Sequence, residues 1–112
     1  MSESEHLEQT TLVNILRKKY PLTFAIPNGG LRSKTTAAKL KREGVLKGIP
    51  DLMVVELGLF IELKAVGGKL SPEQKKIIAD INETTPFTAI VAYGYKDALE
   101  KIAEFELSHD TL

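Results

Sequence analysis

The chain has 112 residues and a mass of 12.4 kDa, which suits one domain and is too short for two ordinary ones. It contains no cysteine, so disulfide bonds, thiolate metal sites and cysteine nucleophiles are excluded. Its two histidines, His6 and His109, lie far apart in the sequence, which argues against a histidine-based zinc site. No apolar run approaches the roughly 20 residues of a membrane span, and the acidic N-terminus lacks a signal-peptide pattern. We therefore expect a cytoplasmic protein with no membrane partner.

Positive and negative charges are segregated along the chain, although the formal net charge is zero. The segment from residue 17 to residue 47 holds nine basic residues and one acidic residue, Glu43. From residue 80 onward there are seven acidic residues and two lysines. A basic central segment is suited to binding a polyanion, and the alternative is that these charges only solvate exposed faces.

Two helices and a short strand are predicted in the first half of the chain. Apolar residues recur at helical spacing over residues 4–20, and Pro21 ends that helix. Residues 22–26 are predicted to form a strand, and residues 35–43 a basic helix that ends at Gly44. The apolar face of the first helix is predicted to consist of Leu7, Leu12, Ile15, Leu16 and Tyr20.

The second half contains the densest apolar segments. Residues 51–57 and 59–65 are predicted to be the strands of a tight antiparallel hairpin that turns at Gly58. Ser71 as an N-cap and Pro72 at the first helical position predict the start of a helix. The remaining elements are the rest of that helix to about residue 83, a strand over residues 87–93 and a helix over residues 96–107. This order predicts an α/β domain with a mixed β-sheet flanked by helices.

Ionisable residues within the apolar hairpin need an explanation, because an unpaired buried charge costs several kcal/mol. Glu62 and Lys64 are two residues apart and therefore project from the same face of one strand. Folding the hairpin brings Asp51, whose approach is restricted by Pro50, opposite them. Two adjacent carboxylates repel unless a proton or cation lies between them, and oxygen ligands favour Mg²⁺ or Mn²⁺. The alternative is a cross-strand ion pair that stabilises the sheet by only a few tenths of a kcal/mol.

These residues also match a family pattern. Pro50-Asp51 followed by Glu62-Leu63-Lys64 has the form of the PD…ExK signature of the PD-(D/E)XK nuclease superfamily. The match extends, in order, through IPNGG (26–30), GV-x-KGIPDL (44–52), FIELKA (60–65) and GKLSPEQ (68–74). On these motifs the chain resembles a stand-alone VRR-NUC (virus-type replication-repair nuclease) domain. The resemblance implies a restriction-endonuclease-like core at about residues 4–107 of a single nuclease domain spanning residues 1–112.

The resemblance further implies a metal-dependent phosphodiesterase that acts on DNA. Asp51 and Glu62 would hold Mg²⁺ or Mn²⁺, assisted by the backbone carbonyl of Leu63. Lys64 would orient or activate the attacking water and neutralise charge that develops on the phosphate. Family members carry a further metal-binding glutamate on the first helix, and the helical register assigns it to Glu5.

Two residues have a second interpretation. Glu8 is the alternative to Glu5, because helix boundaries inferred from sequence shift by a few residues. Gln74 corresponds to a family glutamine near the active site, and it is counted with the catalytic residues on that basis. Without the resemblance, Gln74 is only a solvent-facing residue in the first turn of a helix.

DNA-binding residues are predicted in the loop after the first strand and in the basic segment. Glycine permits close approach of the backbone to a phosphate, and asparagine tolerates left-handed turns, although an ordinary loop has the same composition. The basic side chains would contact phosphates and position a duplex without reading its bases. The predicted set is Asn28, Gly29, Gly30, Arg32, Lys34, Lys39, Lys41, Arg42 and Lys47.

No segment resembles a base-reading recognition helix, so we expect cleavage that depends on DNA structure rather than sequence. Stand-alone family members look like Holliday junction resolvases, which implies a homodimer that cleaves four-way junctions about a shared two-fold axis. The protein would act on DNA in the cytoplasm of a bacterial or phage-infected cell. The alternatives are a flap, nicking or restriction-type nuclease, a non-catalytic DNA-binding module, and a structural protein in which the hairpin charges form only an ion pair.

Overall fold

The computed structural model describes residues 3–27 and 34–109 of the chain. Within these ranges the helices and strands follow one another in the order that the sequence predicts, with one short 3-10 turn in addition. The elements are α1 (Glu3–Lys19), β1 (Phe24–Ala25), α2 (Lys34–Arg42), β2 (Leu52–Val54), the 3-10 turn Val55–Leu57, β3 (Leu59–Lys64), α3 (Pro72–Thr84), β4 (Thr88–Tyr93) and α4 (Tyr95–His109).

The four strands form one mixed sheet in the order β1-β2-β3-β4. Strand β2 pairs antiparallel with β1 on one side and with β3 on the other. Strand β4 runs parallel to β3, because α3 carries the chain back along the sheet between them. The predicted α/β fold with a mixed sheet flanked by helices is therefore confirmed.

The hydrophobic core lies on one face of the sheet, against α1 and α4. Leu59, Ile61 and Leu63 alternate along β3 and pack in one buried cluster with Leu12 of α1. The alternation directs Glu62 to the opposite face, where it meets the first turn of α3. One strand thus supplies the centre of the core on one side and a buried carboxyl group on the other.

Three local predictions are wrong: the length of the first hairpin strand, the length of β1, and the place of Leu7 on the apolar face of α1. Residues Val55–Leu57 form a 3-10 turn instead of continuing β2, and Gly58 closes that turn in the left-handed conformation (φ 61°, ψ 37°). Strand β1 keeps only two of the five residues predicted for it. Leu7 is 59% exposed rather than part of the apolar face of α1. It precedes Leu12 by five residues, which rotates it about 140° around the helix.

The four helices differ in how they attach to this core. Helices α1, α3 and α4 each bury at least one side chain against the sheet or a neighbouring helix. Helix α2 buries none of its nine residues. Among the helices of the described ranges, none has the length and apolarity that crossing a membrane requires.

Candidate active site

The pairing of β2 with β3 brings Asp51 beside Glu62, as the hairpin hypothesis predicts. Leu52 is registered against Ile61, so the residue that precedes β2 comes level with Glu62. The backbone N–H of Leu63 donates to Asp51 Oδ2 over 2.8 Å. This bond fixes one carboxylate oxygen of Asp51 at the end of the hairpin ladder, next to the Glu62 side chain.

The turn that leads into Asp51 is held against the start of α3. Gly48 has a φ of 92°, in the left-handed region that favours glycine. A Cβ atom at this position would lie 2.7 Å from both the carbonyl carbon and the carbonyl oxygen of Glu73. Pro50 is fully buried two residues later. Close contact between this turn and the α3 backbone therefore sets the position of Asp51 relative to the helix.

Glu62 is the most deeply buried charged group among the described residues, with 2% of its surface exposed. Burial raises its pKa to about 8, and the charge of the neighbouring Asp51 carboxyl adds to the increase. The positive charge of Lys64 lowers the pKa of Glu62, whereas the negative charge of Glu5 raises it further. Glu62 Oε1 is buried and has no hydrogen-bond partner. A cation beside this oxygen would remove the repulsion and satisfy the unpaired acceptor.

Lys64 projects from the same face as Glu62, as their spacing predicts. Its Nζ lies 4.0 Å from Glu62 Oε2, and its side chain is 17% exposed. The N–H of Gly94, which follows β4, donates to the Lys64 carbonyl over 3.0 Å and anchors the end of β3. The ammonium group therefore lies between the buried carboxyl pair and solvent, where it can meet an incoming anion.

Gln74 connects α3 to the carboxyl pair. Its backbone N–H donates to Ser71 Oγ over 3.1 Å, and its side-chain Oε1 accepts from the Ser71 backbone N–H over 2.9 Å. This reciprocal capping box is the usual device that starts a helix. The remaining amide nitrogen, Nε2, donates to Glu62 Oε2 over 3.3 Å. Gln74 is therefore turned towards the site rather than towards solvent.

Glu5 and Glu8 occupy different environments near the start of α1. Glu8 Oε2 accepts a hydrogen bond of 3.0 Å from the backbone N–H of Tyr95, the first residue of α4. A carboxylate at a helix N-terminus is a stabilising arrangement, so Glu8 has a structural task. Glu5 is half-buried and close enough for its charge to raise the pKa of Glu62. Of the two, Glu5 is the one whose charge acts on the buried pair.

The oxygen atoms at this site suit a hard divalent cation. Within residues 3–27 and 34–109, no three acidic or histidine side chains meet as a ready-made metal cluster. Mg²⁺ does not require one, since proteins commonly hold it by one or two carboxylates, with waters and substrate phosphate completing the shell. Asp51 and Glu62 supply two carboxylates, and the unpaired Glu62 Oε1 is a free acceptor. The residues present therefore fit such an ion.

Of the predicted DNA-binding residues, Asn28, Gly29, Gly30 and Arg32 lie outside the described residues. The other predicted cations divide into two groups. Lys47 forms an ion pair with Glu73 of α3, with 3.1 Å between Nζ and Oε1, and this pair lowers the pKa of Glu73. The remaining ones, Lys34, Lys39, Lys41 and Arg42, all lie on α2 and are exposed.

Gly48 and Ser71 contribute to the site in ways that sequence reasoning missed. Both were visible as parts of motifs, but their roles depend on contacts between segments far apart in the chain. The close packing of Gly48 on Glu73 and the bond from Ser71 N–H to Gln74 appear only once α3 lies beside the turn at residue 48. The sequence predicted that the turn before Asp51 restricts its backbone and that Ser71 and Pro72 start a helix, but it did not predict that these two segments pack together.

The mixed four-stranded sheet flanked by helices is a nuclease-type α/β fold. The model of the VRR-NUC domain family matches residues 3–96, and the chain belongs to this family. A solved structure described as a VRR_NUC domain protein has the same fold, with a TM-score of 0.76 and 24% sequence identity. That match covers 94% of this chain and 89% of the other. Comparison with curated proteins gives no match.

Proposed function

We propose that this protein is a metal-dependent, structure-selective DNA endonuclease. Its membership of the VRR-NUC family implies a nuclease, and the paired carboxyl groups supply the chemistry for phosphodiester hydrolysis. The observation that carries the proposal is the buried Glu62, which has one oxygen unpaired and is held beside Asp51. A carboxyl pair in this state is costly for folding alone, which favours a catalytic purpose.

Asp51, Glu62 and the Leu63 carbonyl would hold Mg²⁺ or Mn²⁺, with Glu5 as a further contributor. When bound, such an ion supplies Lewis-acid activation of the phosphate and of the attacking water. The N–H of Leu63 keeps Asp51 oriented, and the Gln74 amide orients Glu62 through its Oε2. Both carboxyl groups must be ionised for this role, so a proton has to leave Glu62 before an ion enters.

Lys64 would act on the substrate rather than on the ion. Its ammonium group stands 4.0 Å from Glu62 Oε2 and reaches towards solvent. From this position it would attract the scissile phosphate, orient the attacking water and stabilise the negative charge that develops as the bond breaks. The ion pair with Glu62 alone does not explain its placement, because a buried pair contributes little net stability.

The proposed substrate is branched DNA, with the four-way Holliday junction as the leading form, and the proposed assembly is a homodimer. Two identical sites about a two-fold axis would suit a substrate with two-fold symmetry. The protein would meet this substrate in the cytoplasm of a bacterial or phage-infected cell.

Cleavage of labelled four-way junctions, flaps, nicked duplexes and plain duplexes, each with Mg²⁺, Mn²⁺ or EDTA, tests this proposal. We expect metal-dependent cleavage, strongest on the junction. Lys64→Met should lower the rate about 10²–10³-fold, the usual effect of removing one group that stabilises developing charge, and leave metal binding in place. Asp51→Asn should abolish both.

Absence of cleavage of every DNA form with either metal would reject the enzyme and leave a DNA-binding module. Preferential cleavage of flaps or plain duplex would keep the chemistry and replace the substrate. Sedimentation with and without the junction measures the assembly independently of activity.

A further inference from the structure

Helix α2 buries almost none of its surface against the rest of the molecule. Eight of its nine residues are exposed, and only Leu40 is partly covered. Two backbone hydrogen bonds close the C-terminal end of α2. The N–H of Gly44 donates to the Lys41 carbonyl, and the N–H of Val45 donates to the Leu40 carbonyl. These bonds finish the helix but do not connect it to the core. Packing of an apolar face, which stabilises most helices in proteins, is therefore nearly absent here.

Half of the other cations in the described ranges have an ion-pair partner, whereas none of the four on α2 pairs with a described carboxylate. Lys19, Lys47, Lys64, Lys76 and Lys101 each lie within 4.0 Å of a carboxylate oxygen. No described carboxylate pairs in this way with the four cations of α2: Lys34, Lys39, Lys41 and Arg42. The nine helical residues include no acidic residue. One short exposed helix thus carries four positive charges that no described carboxylate pairs with.

This charge pattern does not serve the helix itself. Lys34 stands at the first position, where the positive end of the helix dipole disfavours a cation. Lys39 and Arg42 are three residues apart, which brings like charges onto neighbouring positions of the helix surface. A nine-residue helix with such repulsion and no buried face is marginal in water. A polyanion that binds these charges would supply the missing stabilisation.

The composition of α2 favours nucleic acid over another protein surface. The centres of protein interfaces are depleted in lysine and enriched in aromatic residues, whereas α2 presents lysine, arginine, threonine and alanine. None of the large exposed apolar side chains belongs to it. Contacts from lysine and arginine to phosphates position a duplex without reading its sequence, which matches a structure-selective enzyme.

We propose that α2 is a DNA-binding arm that becomes stable as a helix when its four cations contact the phosphate backbone of duplex DNA. This proposal rests on the proposed function, since DNA is taken as the substrate. It identifies α2 as the element that binds the DNA. Catalysis and DNA binding then belong to separate elements. The carboxyl pair cleaves the phosphodiester bond, and α2 determines the affinity for DNA and its dependence on salt.

A matched pair of variants tests the arm, with binding to a fluorescent four-way junction measured in EDTA so that the DNA stays intact. Lys39→Gln removes one charge from α2. Lys18→Gln removes one from an exposed lysine in the last turn of α1 that has no ion-pair partner among the described residues. We expect Lys39→Gln to reduce the slope of log affinity against log salt by about 0.9, and K39Q/K41Q by about 1.8. Lys18→Gln should leave the slope unchanged.

Hydrogen exchange of wild-type protein, again in EDTA, tests the coupled folding. We expect the amides of residues 34–42 to exchange fast without DNA and to become protected when the junction binds. Protection that is already high without DNA would overturn the coupled folding.

Equal salt slopes for Lys39→Gln and Lys18→Gln would overturn the DNA-binding arm. A change in sedimentation of K39Q/K41Q with unaltered DNA affinity would also overturn it and assign α2 to contact with a second copy. These results are separable from the proposed function. If the enzyme fails to cleave, the binding slopes still report on α2, and if α2 fails, the wild type still cleaves.

Discussion

The side-chain amide of Gln74 holds the buried carboxyl of Glu62 in a defined orientation. Because Gln74 Oε1 accepts from the Ser71 N–H over 2.9 Å, the other end of the amide, Nε2, must face Glu62 Oε2, 3.3 Å away. The capping box that starts α3 therefore also determines which way a site residue presents its donor. Helix initiation and site geometry depend on the same side chain.

Gln74→Ala should lower the affinity for Mn²⁺, and the cleavage rate, about 10–100-fold, the usual effect of removing a group that orients a metal-binding side chain. It should also destabilise the fold by about 1 kcal/mol, because half of the capping box is lost. Ser71→Ala is the matched control, since it removes the other half of the box but keeps the N–H that binds Gln74 Oε1. Titration of Mn²⁺ followed by calorimetry, with thermal unfolding alongside, separates the two effects. Equal metal affinity in both variants would contradict the orienting role of Gln74.

The metal-free protein should lose stability as the pH rises through the weakly acidic and neutral range. The pKa of Glu62 is about 8 in the fold, against an ordinary value of 4.5, because burial and Asp51 disfavour its ionised form. A raised carboxyl pKa means that the folded state holds a proton that the unfolded state releases. The resulting stabilisation is complete below about pH 4.5 and disappears as the pH rises through about 8.

Thermal unfolding in EDTA across this range measures the effect. Glu62→Gln, which cannot ionise, should show a flatter profile and should exceed the wild type in stability above pH 8. In the wild type, stabilisation by added Mn²⁺ should increase over the same range, since the ion competes with the proton on Glu62. A Mn²⁺ effect that is constant with pH would rule out this competition.

Glu5 and Glu8 should separate into a functional and a structural residue. Glu8→Gln replaces the carboxylate at the start of α4 with a neutral amide and should lower the free energy of unfolding by about 0.5–1 kcal/mol, with little change in metal-dependent cleavage. Glu5→Gln should reduce cleavage at limiting Mg²⁺ and change stability little. Cleavage rates over a Mg²⁺ series, combined with unfolding curves for both variants, test the assignment. The reverse pattern would make Glu8 the functional residue.

Gly48→Ala should be much more harmful than Gly67→Ala, although both glycines have a positive φ, 92° and 84°. At Gly67 an added Cβ would meet nothing within 4 Å, so only the left-handed backbone cost of roughly 1–2 kcal/mol applies. At Gly48 the Cβ would also approach the Glu73 backbone to 2.7 Å, which adds roughly 1–3 kcal/mol and pushes the turn away from α3. Urea unfolding of both variants measures the difference, and similar stabilities would show that the close contact is unimportant.

Hydrophobic periodicity and motif spacing predicted the order of the elements and the placement of the main site residues. Alternation along residues 59–65 places Glu62 and Lys64 on one face, and strand geometry alone requires this. The hairpin then needs only its approximate register to bring Asp51 beside them, since Leu52 lies opposite Ile61. These features are local, so a sequence pattern contains the information that specifies them.

Boundaries and turns were harder to predict, because several local structures compete at similar energies. Val55–Leu57 has a composition that suits a strand, yet it forms a 3-10 turn because Gly58 supplies the left-handed closure. The assignment of Glu5 or Glu8 likewise required knowing which carboxylate meets Tyr95.

By itself, the sequence determined the fold class, the hairpin, the pairing of Asp51 with Glu62 and the basic character of α2. The tertiary structure decided that Glu62 Oε1 stays unpaired, that Gln74 donates to the other oxygen, Oε2, and that the turn at Gly48 packs closely against the start of α3. The physical reason is range. Periodicity and charge follow from neighbours in the chain, whereas burial and hydrogen-bond partners depend on segments that meet only after folding.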